Sequence, residues 1–178
     1  ALQFNPSFIE SVKAVLQETG LAPARLELEL TEGVVMDDAN ATVQALCDLK
    51  EMGVSLSIDD FGTGYSSLSY LSRFPLDELK IDRSFVIEFN KSSNDASLVI
   101  AIIAMARSMN LNLVAEGVET HDQYHFLTRN GAHVIQGYLF SKPVTAEELK
   151  PLLAPWHFME QVQEMAGGYP ERRELQAL

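Results

Sequence analysis

Acidic residues and a lysine recur where apolar runs of this sequence give way to polar ones. Glu29 is followed by Thr31 and Glu32, Asp59 by Asp60, Lys80 by Asp82 and Glu116 by Glu119, and Gln136 closes the series. Carboxylates gathered at one place repel and do not all ionise unless cations join them. Oxygen donors at this density suit Mg²⁺, Mn²⁺ or Ca²⁺ rather than Zn²⁺, and no Cys/His cluster competes for a softer ion. Asp59 is a candidate bridge between two ions about 3.5–4 Å apart, the spacing used in two-metal phosphodiester hydrolysis.

The elements that would position these residues alternate along the chain. Apolar patterning predicts helices over 8–17, 39–52, 65–73, 96–109, 121–130 and 146–153, with strands over 26–30, 54–58, 78–81, 111–115 and 133–135. Gly53 and Gly131 stand where helix-ending glycines are expected. Residues 59–64 read as a glycine-containing loop. Successive β-then-α units with short connections imply an α/β architecture with a parallel sheet covered by helices. In a closed β/α barrel all strand C-termini open on one face, where the active site lies. An open doubly wound sheet would place its site in a crevice at a switch point. Five strands that all contribute polar residues fit the ring better.

Composition narrows the chemistry. The chain has 178 residues, a single-domain length, and a formal charge of −12. That balance excludes a general nucleic-acid binder and electrostatic docking on anionic membrane. A phosphate-bearing substrate would need a divalent cation to meet it. Cys47 excludes an internal disulfide and is expected to be a buried structural thiol. The spacing of His121 and His125 resembles a metal pair, but the metalloprotease Glu is missing, so they are expected on a solvated helix face. Met105 and Met109 are expected to fill core. Residues 1–154 form the domain and 155–178 a tail, with one more amphipathic helix over 156–165 and a frayed end.

The stretch Asp60-Phe-Gly-Thr-Gly-Tyr-Ser-Ser67 is the most distinctive. Its two glycines let the backbone approach a ligand or bend tightly, and Ser66 and Ser67 are candidate caps for the following helix. Taken in full as Ser57-Ile-Asp-Asp-Phe-Gly-Thr-Gly-Tyr-Ser-Ser-Leu68, and together with Leu26-Glu-Leu-Glu-Leu-Thr-Glu32, Leu79-Lys-Ile-Asp-Arg83, Val114-Ala-Glu-Gly-Val-Glu119 and Gln136-Gly-Tyr-Leu-Phe-Ser-Lys-Pro143, it resembles the EAL family of bacterial cyclic di-GMP phosphodiesterases. The resemblance covers residues 4–153, with the motifs in the family's order.

The resemblance implies a modified TIM barrel that hydrolyses cyclic di-GMP to linear pGpG with two Mg²⁺ or Mn²⁺ ions, Ca²⁺ being an inhibitory occupant. Glu29, Asp59, Asp60 and Glu116 match metal ligands, and Lys80 matches the lysine that holds or helps activate the attacking water. Lys80, Glu116 and Asp60 are thus the catalytic candidates. Glu119 and Gln136 match residues that position water. Glu32 matches the glutamate that steadies the loop after Asp60. That loop, with Phe61, Gly62, Thr63, Gly64, Tyr65, Ser66 and Ser67, is linked to homodimerisation in the family. The implied partners are cyclic di-GMP, a second copy, and upstream diguanylate-cyclase-like or sensory domains; the implied location is cytoplasmic, with a membrane anchor in upstream regions as one alternative.

Two family features are absent. The Glu-Ala-Leu motif and the Asn of the Asn-x-Ser segment both belong upstream of Ala1. A TIM barrel takes roughly 250 residues, so roughly 70–100 would precede this sequence, including the first strands and two metal ligands. The expected fold is therefore an incomplete barrel, and the chain alone is expected to be inactive. Gly33 and Ala132 also depart from the pattern, off the metal positions. Two further readings stand beside hydrolysis: a degenerate domain that binds cyclic di-GMP as a receptor, and a pure dimerisation module. Paired carboxylates at a cup are costly without metal chemistry, which weighs against the last.

Overall fold

Every strand of the sheet runs parallel to its neighbours, and the spatial order β1-β2-β3-β4-β5 is the chain order. The computed structural model describes residues 6–33, 39–62, 71–88 and 93–153. The strands are β1 (Glu27–Thr31), β2 (Ser55–Phe61), β3 (Glu78–Ile81), β4 (Asn112–Ala115) and β5 (Val134–Ile135). The helices are α1 (Pro6–Thr19), α2 (Ala39–Glu51), α3 (Arg83–Glu88), α4 (Ser93–Ser108), α5 (His121–Asn130) and α6 (Ala146–Leu152), with a 3₁₀ turn at Pro23–Arg25. This is the helix-flanked parallel sheet expected of a partial barrel. None of these helices is long and apolar enough to cross a membrane.

The alternation of side chains along each strand divides the sheet into two unlike faces. Leu30 and Leu56 pack with Leu46 and Leu49 of α2, and Phe8 and Val12 of α1 join the same cluster. Ile58, Leu79, Ile81, Leu113 and Ala115 pack with Val99, Ile102, Ile103 and Ala106 of α4 and Leu127 of α5. Each such Leu or Ile removed from water contributes about 1.5–3 kcal/mol before entropy is counted. The intervening residues carry the polar groups. Glu29 is in register with Ser57, Ser57 with Glu78, and Glu78 with Asn112. Ser57 is fully buried, and its Oγ has no hydrogen-bond partner among the described residues.

The N-terminal ends of the strands are stitched by Asp77. Its carboxylate accepts from Lys50 Nζ at 2.7 Å and from the Leu56 N–H at 2.8 Å, tying the end of α2 to β2 and β3. The helix α5 begins at a capping box between Thr120 and Gln123 and ends at Gly131.

Three expectations change. The strand β2 runs through Asp59 and Asp60 to Phe61, where a loop was expected, because neighbouring strands continue to pair with it. The six-residue helix α3 was not anticipated; it is too short to show a helical period. Cys47 is half-buried rather than buried. Met105 and Met109 do pack against the core, and His121 is exposed while His125 is half-buried. The helix expected over 65–73 lies mostly outside the described residues, as does all of 154–178.

Candidate active site

Lys80 is the centre of the polar face. Its side chain is 8% exposed, and Nζ donates to Glu29 Oε1 at 2.7 Å and lies 2.6 Å from Glu116 Oε1 and 3.9 Å from Asp59 Oδ1. Three strands thus bring three carboxylates to one ammonium. Burial alone pushes the Lys80 pKa down, but hydrogen bonds to Glu116 and Glu29 and the charges of Glu116 and Asp59 outweigh it and hold the group above the ordinary lysine value. Lys80 is therefore a fixed cation and hydrogen-bond donor at neutral pH, not a base.

A bulge sets the next pair. The β2–β3 register shifts between Ile58 and Phe61, and Asp60 has φ +54°, the left-handed region that few residues other than glycine adopt. Adjacent strand residues ordinarily face opposite sides; a bulge re-aims them. Here Asp59 turns to Lys80 while Asp60 faces Asp82 at the same rim. Asp59 Oδ1 also accepts the Asp60 N–H at 2.9 Å. Desolvation at the strand end, with the charges of Asp59 and Asp82 beside it, raises the Asp60 pKa. Asp82 moves the other way: against some burial, the hydroxyl and N–H of Ser84, the Arg83 N–H and Asp60 hold it low.

The remaining residues sit on the connections that follow the strands. Glu32 is 2% exposed, and its Oε2 accepts the Gly62 N–H at 3.1 Å, so it holds the start of the loop after β2. Gly62 in turn lies against Phe85 of α3 and Ile102 of α4. Thr63, Gly64, Tyr65, Ser66 and Ser67 lie outside the described residues. Glu116 follows β4 directly, and its N–H bonds to Ile81 O at 3.2 Å. Arg83 crosses Gly117, which has φ +67° and no room for a Cβ, to reach Glu119 Oε1 at 2.6 Å. Gln136 follows β5; its carbonyl accepts from Val118 N at 3.1 Å, which couples the two loops. A cleft of about 380 Å³ opens beside it, walled by Tyr138, Lys142 and Leu149 of α6.

The donors fit a hard divalent cation in type, since Glu29, Asp59 and Glu116 offer only oxygens and meet around one positive charge. Around Lys80 they do not themselves form an ion site: among the described residues, no group of three or more His, Cys, Asp or Glu side chains is placed to hold a metal ion.

The EAL-domain family model matches residues 2–143. The chain belongs to the EAL-domain family. It is 51% identical over 150 residues to the bifunctional diguanylate cyclase/cyclic di-GMP phosphodiesterase MucR of Pseudomonas aeruginosa, covering 84% of this chain and 22% of that protein. Among solved structures, the complex of the PaMucR phosphodiesterase with c-di-GMP is 51% identical with a TM-score of 0.80, covering 83% of this chain and 60% of that one. The manganese/cyclic di-GMP complex of Klebsiella pneumoniae BlrP1 is 34% identical with a TM-score of 0.72, covering 78% of this chain and 36% of that one. This EAL-domain chain spans about a fifth of the length of the curated relatives it matches. Manganese is thus present with cyclic di-GMP in a structure similar to this chain.

Sequence reasoning missed Gln123, whose buried side chain holds the loop that carries Glu119. The signal was present: Thr120 followed three residues later by Gln123 is a capping-box pattern.

Proposed function

We propose that this chain is the C-terminal part of an EAL domain that hydrolyses one phosphodiester of cyclic di-GMP to linear pGpG. The observation that carries the reading is the convergence of Glu29, Asp59 and Glu116 on Lys80, in a family whose relatives are named for this activity. Glu29, Asp59, Asp60 and Glu116 would hold two Mg²⁺ or Mn²⁺ ions. Bound there, the ions would supply Lewis-acid polarisation of the phosphoryl oxygen and would lower the pKa of a bound water.

The chain's own residues supply orientation and charge. Lys80, kept protonated by its partners, donates to the attacking oxygen and keeps the carboxylates from repelling one another before substrate arrives. Glu119, gripped by Arg83, and Gln136, held through Val118, position water at the rim. Glu32 holds the loop after Asp60 in place.

Homodimerisation belongs to the same proposal. Between Ala96 and Ala106 the helix α4 has no charged residue, and its Leu98 and Ile100 are each 43% exposed. The loop after β2 begins on Ile102 of that helix, so a partner seated on α4 would be felt at Glu32 and Asp60. The relative MucR is bifunctional, and an upstream cyclase-like domain is proposed here on that likeness.

The test is incubation of the intact protein with cyclic di-GMP and Mg²⁺ or Mn²⁺, followed by chromatographic separation of nucleotides. Linear pGpG supports the reading. Tight binding without product makes the protein a receptor, and neither binding nor product overturns both.

A further inference from the structure

We propose that Gln123 is a positioning residue that locks the loop bearing Glu116 and Glu119 to the helix α3. The inference rests on the phosphodiesterase reading for its kinetic consequence, and on geometry alone for the lock itself.

Gln123 is 7% exposed, and its side chain makes three hydrogen bonds to backbone. Its Oε1 accepts from the Glu119 N–H at 2.7 Å and the Thr120 N–H at 2.9 Å. Its Nε2 donates to Val86 O at 3.2 Å. The capping box explains only part of this. A helix start of this kind needs an acceptor at the third position, and Glu serves there as well as Gln. Only an amide can also donate, and the Val86 carbonyl is the group that uses the donor. The choice of Gln therefore answers to α3, not to the helix it caps.

The helix α3 starts at Arg83, directly after Asp82 and three residues after Lys80. It grips the β4–α5 loop twice. Arg83 crosses Gly117 to hold the Glu119 carboxylate at 2.6 Å, and Val86 O holds Gln123, which holds the Glu119 amide. Glu119 is thus fixed at both its side chain and its backbone. Glu116, at the start of the same loop, meets Lys80 at 2.6 Å. Small displacements of groups around a reacting centre are expensive, with about 1 Å costing about 100-fold in rate. A lock on this loop therefore acts on turnover more than on binding.

Two variants of the intact protein separate this role from packing. Gln123→Met keeps the volume and removes all three bonds; Gln123→Glu keeps the acceptor and removes the donor. For Gln123→Met, turnover of cyclic di-GMP with Mn²⁺ is expected to fall about 10- to 100-fold while KM stays within about threefold. Hydrogen exchange at the Glu119 and Thr120 amides is expected to accelerate. Gln123→Glu should keep those amides protected yet lose turnover, because the Val86 link is gone. Wild-type turnover in either variant would overturn the proposal. So would a loss in Gln123→Met that disappears when both proteins are assayed equally far below their own melting temperatures. If the wild-type protein turns over no cyclic di-GMP, the functional reading fails instead. Amide exchange then decides alone, and unchanged protection in Gln123→Met would overturn the lock.

Discussion

Lys80 Nζ stands 2.6 Å from Glu116 Oε1, one strand over in the sheet. The same ammonium bonds Glu29 on the far side of β2, so one cation holds carboxylates from both flanks of the polar face. Two consequences follow for Lys80→Met. Without divalent metal, the carboxylates lose their counter-charge, and stability should fall by about 1–3 kcal/mol, less than for a fully buried pair because Glu29 is half-exposed. Added Mn²⁺ should then raise the melting temperature of the variant more than that of the wild type. Equal Mn²⁺ shifts in paired thermal melts would contradict this account of the site.

Close backbone contact between the last two loops gives a second expectation. A Cβ on Gly137 would fall within the backbone of Val118, whose N–H and C=O bond Gln136 and Leu139. Backbone cannot step aside as a side chain can. Gly137→Ala should destabilise by about 1–3 kcal/mol and separate Gln136 from the Glu116–Glu119 loop. Chemical denaturation measures the first effect and turnover the second. A variant with wild-type stability would show that the two loops do not meet as described.

Glu78 carries a pH signature. Burial, then the charges of Glu27, Glu29 and Asp77, raise its pKa despite Lys80 nearby. A raised carboxyl binds more protons folded than unfolded, so stability falls as pH rises above the usual glutamate value. Glu78→Gln removes that penalty. Its melting temperature should exceed the wild type's at about pH 7 and match it below about pH 4. A deficit at neutral pH would show that Glu78 is held by Lys80 more strongly than it is repelled by its acidic neighbours.

Much of this was legible because side-chain type and period agree. The leucines and isoleucines of β1 to β3 alternate with Glu29, Ser57, Asp59, Glu78 and Lys80, which announces both the strands and their two faces. The helix α5 begins and ends at the expected residues, and Gly131, a local stop signal read without tertiary context, closes it. What was not legible depends on neighbours. The glycines after Asp60 read as a loop, yet pairing with β1 and β3 carries β2 through to Phe61. The positive φ at Asp60, which aims two adjacent carboxylates at one rim, has no signature in residue type. Nor could the sequence show that Gln123 reaches Val86, since that bond spans 37 residues.

The central claim is that the carboxylates around Lys80 perform metal-dependent phosphodiester hydrolysis. The measurement that tests it most directly is cyclic di-GMP turnover by the intact protein across a Mn²⁺ titration, with Asp59→Asn alongside. The account predicts linear pGpG that rises with Mn²⁺ in the wild type and falls by at least about 100-fold in the variant. Turnover that is indifferent to Mn²⁺, or an Asp59→Asn protein as active as the wild type, would contradict it.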